Sequence, residues 1–242
     1  VHGAPCHGSH WHGFGETTAF LSDCSHGPHV LSALQRALTR PASFFETESR
    51  DPSLRRPAVV VGLVAVAGLL ATVPTIVAVS DALPARAGIF VAISFAFGSL
   101  SSLIGPFVSW LIVGTALFLG SLVVGGDGEL RDLFALVGWG FAPRIVVPIV
   151  GGIVSFVIVS GTDFSDPQQA QQVARLSTTG PAALVTHGVN TVTFLWAGWM
   201  WTHALASARR IATRNSAVIV GAVVVFQLLF NVGLAVLSAS LL

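Results

Sequence analysis

Lysine and tyrosine are absent from this chain of 242 residues, cysteine occurs twice, and charged residues make up only 10% of it. Without lysine, neither a P-loop phosphate clamp nor Schiff-base chemistry can be built. Cys6 and Cys24 both precede residue 30, so no disulfide framework holds the remainder together. Twelve arginines against eleven acidic residues leave a net charge of +1, without the basic footprint of a nucleic-acid binder. Nucleic acid is not expected among the partners.

What the chain does contain is apolar. Hydrophobic residues are 53% of it and the mean hydropathy is +0.78, too high for an ordinary soluble domain. The expected class is all-α, a polytopic membrane helix bundle. Residues 1–29 stand apart. They are rich in Gly and His, lack helical or strand periodicity, and carry no continuous apolar stretch of signal-peptide type. Cys6, His7, His10, His12, Cys24, His26 and His29 include good zinc or copper ligands, but their spacing matches no paired-ligand pattern. The segment reads as a disordered tail or a mis-set start, since residue 1 is Val and the one methionine is Met200. Residues 30–57 then form a cytosolic amphipathic lead-in, and 58–242 the transmembrane domain.

A helix needs about 20 apolar residues to cross a hydrocarbon core about 30 Å thick. Residues 58–79, 140–160, 181–205 and 217–242 qualify, the first with Asp51-Pro52 ahead of it as cap and first helical residue. Residues 88–124 carry no charge and are long enough for two crossings, or for one preceded by a surface helix. Arginine placement favours one crossing. With five spans and the N-terminus inside, Arg36, Arg40, Arg50, Arg55, Arg56, Arg131, Arg209, Arg210 and Arg214 are internal, and only Arg86 and Arg175 are external. The second span is then expected at about 106–124, starting at Pro106, with 88–104 interfacial, re-entrant or half-inserted. The C-terminus falls outside the cell.

Three connections show local structure. Leu31, Leu34 and Leu38 share a face of a short basic helix suited to the inner surface. Leu130, Leu133, Phe134, Val137 and Phe141 recur at helical spacing and suggest a second interfacial helix. Asp166-Pro167 opens a polar helix over 168–176.

Catalytic chemistry is not assembled. No His-Glu-x-x-His or Gly-x-Ser-x-Gly occurs, and no acidic residue falls in an expected span, which leaves His187 and His203 as isolated bases. No catalytic residue, metal site or cofactor is expected. His187, Asn190, Thr191 and Phe194 share one helical face, and Gln227 and Asn231 another. Polar groups in a bilayer either line a path or hydrogen-bond between helices. Arg144, after Pro143, is placed to snorkel to lipid phosphates or to pair with Asp127, Glu129 or Asp132. Ala116 with Gly120, and Ala217 with Gly221, have the small-xxx-small spacing of close helix contacts. Trp196, Trp199 and Trp201 read as interfacial anchors.

Three stretches carry a resemblance: LTRPASFF (38–45), LRRPAVVV (54–61), and above all GGDGELRDLFALVGWGFAPRIV (125–146), a Gly-Gly, charged turn, helix, Gly-aromatic, Pro pattern. From about residue 31 to 242 the chain resembles the Yip-domain family, the Ypt/Rab-interacting membrane proteins, in its prokaryotic form. That resemblance implies five spans with a cytosolic N-terminus, and no enzyme activity. In eukaryotic relatives it implies vesicle trafficking, small-GTPase contact and membrane shaping. The long cytosolic N-terminal region of GTPase-interacting members is lacking, so GTPase binding is not carried over. The expected role is a non-catalytic protein of the cell membrane that organises or recruits components through its cytosolic face, at Asp127, Glu129, Arg131, Asp132, Pro143 and Arg144. A small-solute or lipid transporter or channel using His187, Asn190, Gln227 and Asn231 is the alternative. Expected partners are membrane lipids, other membrane or membrane-associated proteins, and further copies of the chain.

Overall fold

The computed structural model describes residues 30–82, 88–162, 166, 168–169, 171–173, 176 and 180–240. The tail over 1–29 and most of the helix expected at 168–176 lie outside them. Asp166 is described, and its Oδ1 accepts from the Gln168 backbone N–H at 2.9 Å, as a cap would.

All regular structure among the described residues is helical. Two short helices, α1 (Val30–Thr39) and α2 (Pro41–Glu48), precede α3 (Arg55–Ala82) and α4 (Gly88–Val123). Next come α5 (Leu130–Trp139), a single 3-10 turn (Ala142–Ile145), α6 (Val146–Val159), α7 (Pro181–Arg209) and α8 (Thr213–Ser240). Prolines set several starts, because a fixed φ and a missing N–H cost nothing in a first turn. Pro41 opens α2 after a non-helical Arg40, and Pro181 opens α7 after an extended Gly180. Four stretches are long and apolar enough to cross a membrane: Arg55–Ala78, Ala92–Val123, Ala142–Val159 and Thr213–Gly233. Helix α7 has the length, at 29 residues, but its His, Asn, Thr and Trp content keeps it out of that set.

Two boundaries differ from the sequence expectation. The first long helix starts at Arg55, with Asp51 in a bend before it and not at its cap. The segment 88–104 is neither re-entrant nor separate: it runs unbroken through Pro106 into one helix of 36 residues, about 54 Å at 1.5 Å per residue. An interior proline removes one hydrogen bond, here the donor to the Ser102 carbonyl, and apolar helices tolerate this when a neighbour covers the freed group. Helix α3 passes close at this level, a Cβ on Gly68 lying 3.9 Å from the Ser102 carbonyl oxygen, but it brings no donor to that oxygen.

Helix α3 is central, packing on both α4 and α6, while α7 packs on α8, α5 and α6. The core is gathered at one end of the bundle, where α1, α2, the start of α3, the later turns of α4, and α5 meet the second half of α7 and the first half of α8. Phe45, Val61, Leu117, Leu133, Leu136, Trp139, Phe141 and Trp201 are all fully buried there. This corrects two expectations. Helix α5 is not laid on a surface but inserted between α3, α4 and α7. Trp201 is not an interfacial anchor: its indole Nε1–H donates to the Val137 carbonyl at 3.1 Å, while Trp196 and Trp199 remain exposed. Only one of the small-residue pairs makes a close contact. A Cβ on Gly120 would lie 2.6 Å from Ile219 Cγ2 of α8, whereas one on Gly221 would meet nothing within 4 Å.

Candidate interaction face and its buried arginines

The loop Val124–Glu129 joins α4 to α5 through Gly125, Gly126, Asp127 and Gly128. Gly125 and Gly128 have φ of 74° and 131°, a region L side chains rarely occupy. Gly128 also lies so near the end of α7 that a Cβ would come within 2.4 Å of the Ala208 carbonyl oxygen. This explains locally why glycine stands at 125 and 128.

Arg209, the last residue of α7, holds that loop. It is 2% exposed; its Nε donates to Ser121 Oγ at 2.9 Å, and its two terminal nitrogens donate to the Gly126 and Gly128 carbonyls. Its guanidinium lies 4.5 Å from the centroid of Phe118, and its own carbonyl accepts from the Asp127 N–H at 3.0 Å. A buried cation is tolerable only when its donors are met, and here carbonyl dipoles, a hydroxyl and a ring face do so without a carboxylate. Chain reversal after α7 follows at Arg210, with φ 52°.

This clamp sets the expected interaction residues on a fixed frame. Asp127, Glu129 and Arg131 are exposed and Asp132 is half-buried on the first turn of α5. Pro143 is buried in the 3-10 turn. Arg144 is joined to none of the acidic three. Its Nη1 donates to Ser109 Oγ at 3.3 Å, and its guanidinium lies 5.3 Å and 5.0 Å from the Phe141 and Phe194 ring centroids. The aromatic rings of the core draw it inward, away from the exposed acids. Among the described residues the one ion pair is Arg56 with Glu48, at 3.8 Å.

The polar residues expected within the spans are not assembled into one site. His187 is exposed and its carbonyl accepts from Thr191; Asn190 is half-buried and its carbonyl accepts from Thr193. Asn231 donates to the Gln227 carbonyl on its own helix at 2.7 Å. Among the described residues no hydrogen bond joins His187 or Asn190 to Gln227 or Asn231. The α7–α8 polar link is instead Ser216 Oγ, fully buried, donating to the Thr202 carbonyl at 2.6 Å. Gln227 faces a groove of about 430 Å³ between α4 and α8, with Ser101 and Ser109 on the opposite wall, and its Oε1 has no hydrogen-bond partner. No group of three or more His, Cys, Asp or Glu that could hold a metal occurs among the described residues.

Arg209, Ser121 and Ser216 escape sequence reasoning. Arg209 follows a long apolar run like any flanking basic residue, and nothing in the string distinguishes it from Arg210. Its signal is only indirect, in the tight Gly-Gly-Asp-Gly turn that needs a donor to cap its carbonyls.

Comparison with known families returns the Yip1 domain, matched over residues 36–235. No curated protein and no solved structure matches the chain.

Proposed function

The chain belongs to the Yip1-domain family, and from that premise we propose that it is a five-span protein of the cell membrane whose cytosolic face organises or recruits other membrane components, without catalysing a reaction. The fifth span is α7, whose polar side chains lower its apolarity but whose length of 29 residues exceeds the crossing requirement. The loops after α2, α4 and α7 share the end where the core is gathered, and the concentration of arginines there supports, by the positive-inside rule, its being the cytosolic end. Family association with membranes and Rab-type proteins supports a recruiting role; the partners are membrane lipids, membrane-associated proteins or further copies of the chain.

The observation that carries the reading is the Arg209 clamp. A loop meant only to connect two helices has no need of a buried guanidinium and three positioned acceptors, whereas a loop that presents Asp127, Glu129 and Arg131 to a partner gains from being held still. Substitution of Arg131 and Asp132 by Ala should remove proteins that copurify from gently solubilised membranes. An unchanged set of copurifying proteins overturns the proposal. Topology has its own test: an impermeant thiol reagent on intact cells should label a cysteine at Ser160 and spare one at Glu129.

A second reading has one supporting observation, the unpartnered Gln227 oxygen in the α4–α8 groove. Solute flux through liposomes carrying the protein, abolished by Gln227→Leu, would favour transport.

A further inference from the structure

The hollow formed by α1, α2 and the first turn of α3 has a volume of about 670 Å³ and is walled by three arginines, Arg36, Arg40 and Arg56, together with Glu48. Little of the arginines' donor capacity is committed. Arg36 Nε reaches the Ser32 carbonyl at 3.4 Å, Arg40 makes no side-chain hydrogen bond to any described residue, and Arg56 Nη1 stands 3.8 Å from Glu48 Oε1, beyond hydrogen-bond range. The hydroxyls of Thr39, Ser43 and Thr47 are turned back to backbone carbonyls of Gln35, Arg40 and Ser43. Glu48 is in the opposite condition. Its side chain is only 12% exposed, and Oε1 is a buried acceptor with no donor. The hollow thus offers spare cationic donors on its walls and, in Glu48, a carboxylate loosely paired with Arg56 whose buried Oε1 has no hydrogen-bond donor among the described residues.

A bare anion would satisfy the arginines and be repelled by Glu48. A bare cation would meet the reverse. Both demands are met by one small ligand carrying a phosphate and, a few bonds away, an ammonium group: planar guanidiniums match phosphate oxygens, and an ammonium supplies three donors to a carboxylate. We propose that this hollow is a binding site for a phosphoethanolamine-type group, a phosphate ester whose alcohol ends in an ammonium, held by Arg36, Arg40 and Arg56 at the phosphate and by Glu48 at the ammonium. Its volume lies within the range of small-molecule sites. The hollow adjoins Arg56, in the first turn of an apolar helix, which is the level at which phospholipid head groups lie if that helix crosses the bilayer. The site does not depend on the loop face recruiting a partner.

The full chain is placed in nanodiscs of phosphatidylcholine containing equal small fractions of phosphatidylethanolamine and phosphatidylglycerol, and lipids retained after release are counted by native mass spectrometry. Retention of phosphatidylethanolamine over both others is expected, with Arg40→Gln weakening it about tenfold. Glu48→Gln should abolish the preference for phosphatidylethanolamine over phosphatidylglycerol while leaving phosphatidylglycerol retention in place, a pattern that a merely misfolded variant cannot produce. Calorimetry with soluble phosphoethanolamine separates the sources: binding assigns the site to the head-group chemistry itself, and retention of the lipid without it assigns the site to the membrane-held form. Equal retention of the three lipids, with no calorimetric binding, overturns the proposal, as does a phosphatidylethanolamine preference unaltered in Glu48→Gln and Arg40→Gln.

Discussion

Glycines divide the molecule into two ends. Where α5 meets α4, α7 and the start of α3, a Cβ on Gly114, Gly138 or Gly140 would fall within 2.6 Å of a side chain of Phe134, Pro57 or Trp201. On the remaining lengths of α4, α7 and α8, Gly98, Gly105, Gly188, Gly221 and Gly233 have nothing within 4 Å. The first end is interlocked, with side chains filling the space above each glycine. The second is a set of helices whose outward faces are apolar and open, Phe97 and Phe226 each 70% exposed. The difference teaches where close packing is concentrated: around the loops that carry charge, with one tight approach of helices further along, Gly152 of α6 against Ala71 of α3, where a Cβ would lie 3.2 Å from the Ala71 Cα.

The sharpest way to break this contrast is at Arg209. Arg209→Met removes the donor to a buried hydroxyl and to two partly exposed loop carbonyls, and should destabilise the folded protein by about 3 kcal/mol, read as a lower thermal transition in detergent. An equivalent loss from Arg214→Met, exposed on α8, would erase the distinction. Next in size, Gly140→Ala should cost about 1–3 kcal/mol because the added methyl meets the Trp201 ring, whereas Gly98→Ala should be neutral or stabilising by up to about 1 kcal/mol. Smaller again, Trp201→Phe loses the bond to Val137 and some packing, about 1–2 kcal/mol, while Trp199→Phe stays within about 0.5 kcal/mol.

The smallest effect expected is a pH slope from Glu48. Burial pushes its carboxyl above the ordinary value of 4.5, against the pull of Arg56 and Arg36 and with a further push from Asp51. The folded protein therefore holds that proton more tightly than the unfolded chain, and Glu48 contributes stability at low pH that is lost as pH rises above 4.5 through the raised value. A thermal transition that climbs slightly on acidification through this window, with a flatter slope in Glu48→Gln, is the expected result.

The long helices were readable from apolar length alone, and α5 from the spacing of Leu130, Leu133, Phe134 and Val137. Which faces touch protein was not. In a soluble protein an apolar stripe marks the core, but in a bilayer lipid and core are equally apolar, so Trp201 and Trp199 look alike in the string and differ only in the fold. The same limit hid the insertion of α5. Pro106 misled for another reason: its preference for first turns is a tendency, and here the residues on both sides continue one apolar helix through it. As for the candidate site, its charged residues were visible as a cluster; the clamp beneath them was not, because an arginine satisfied by backbone carbonyls leaves no complementary acid in the sequence.

The length of α4 leaves the bundle without a depth gauge at that helix. Its uncharged stretch Ala92–Val123 has 32 residues against a need of about 20, a surplus of about 12 residues or 18 Å. If α4 crosses the bilayer, the bundle can shift in depth or lean through that distance without α4 dragging a charge into hydrocarbon, and membranes of different thickness present this helix with much the same environment. The draught at which the protein floats is set instead by the arginines beside the other helices.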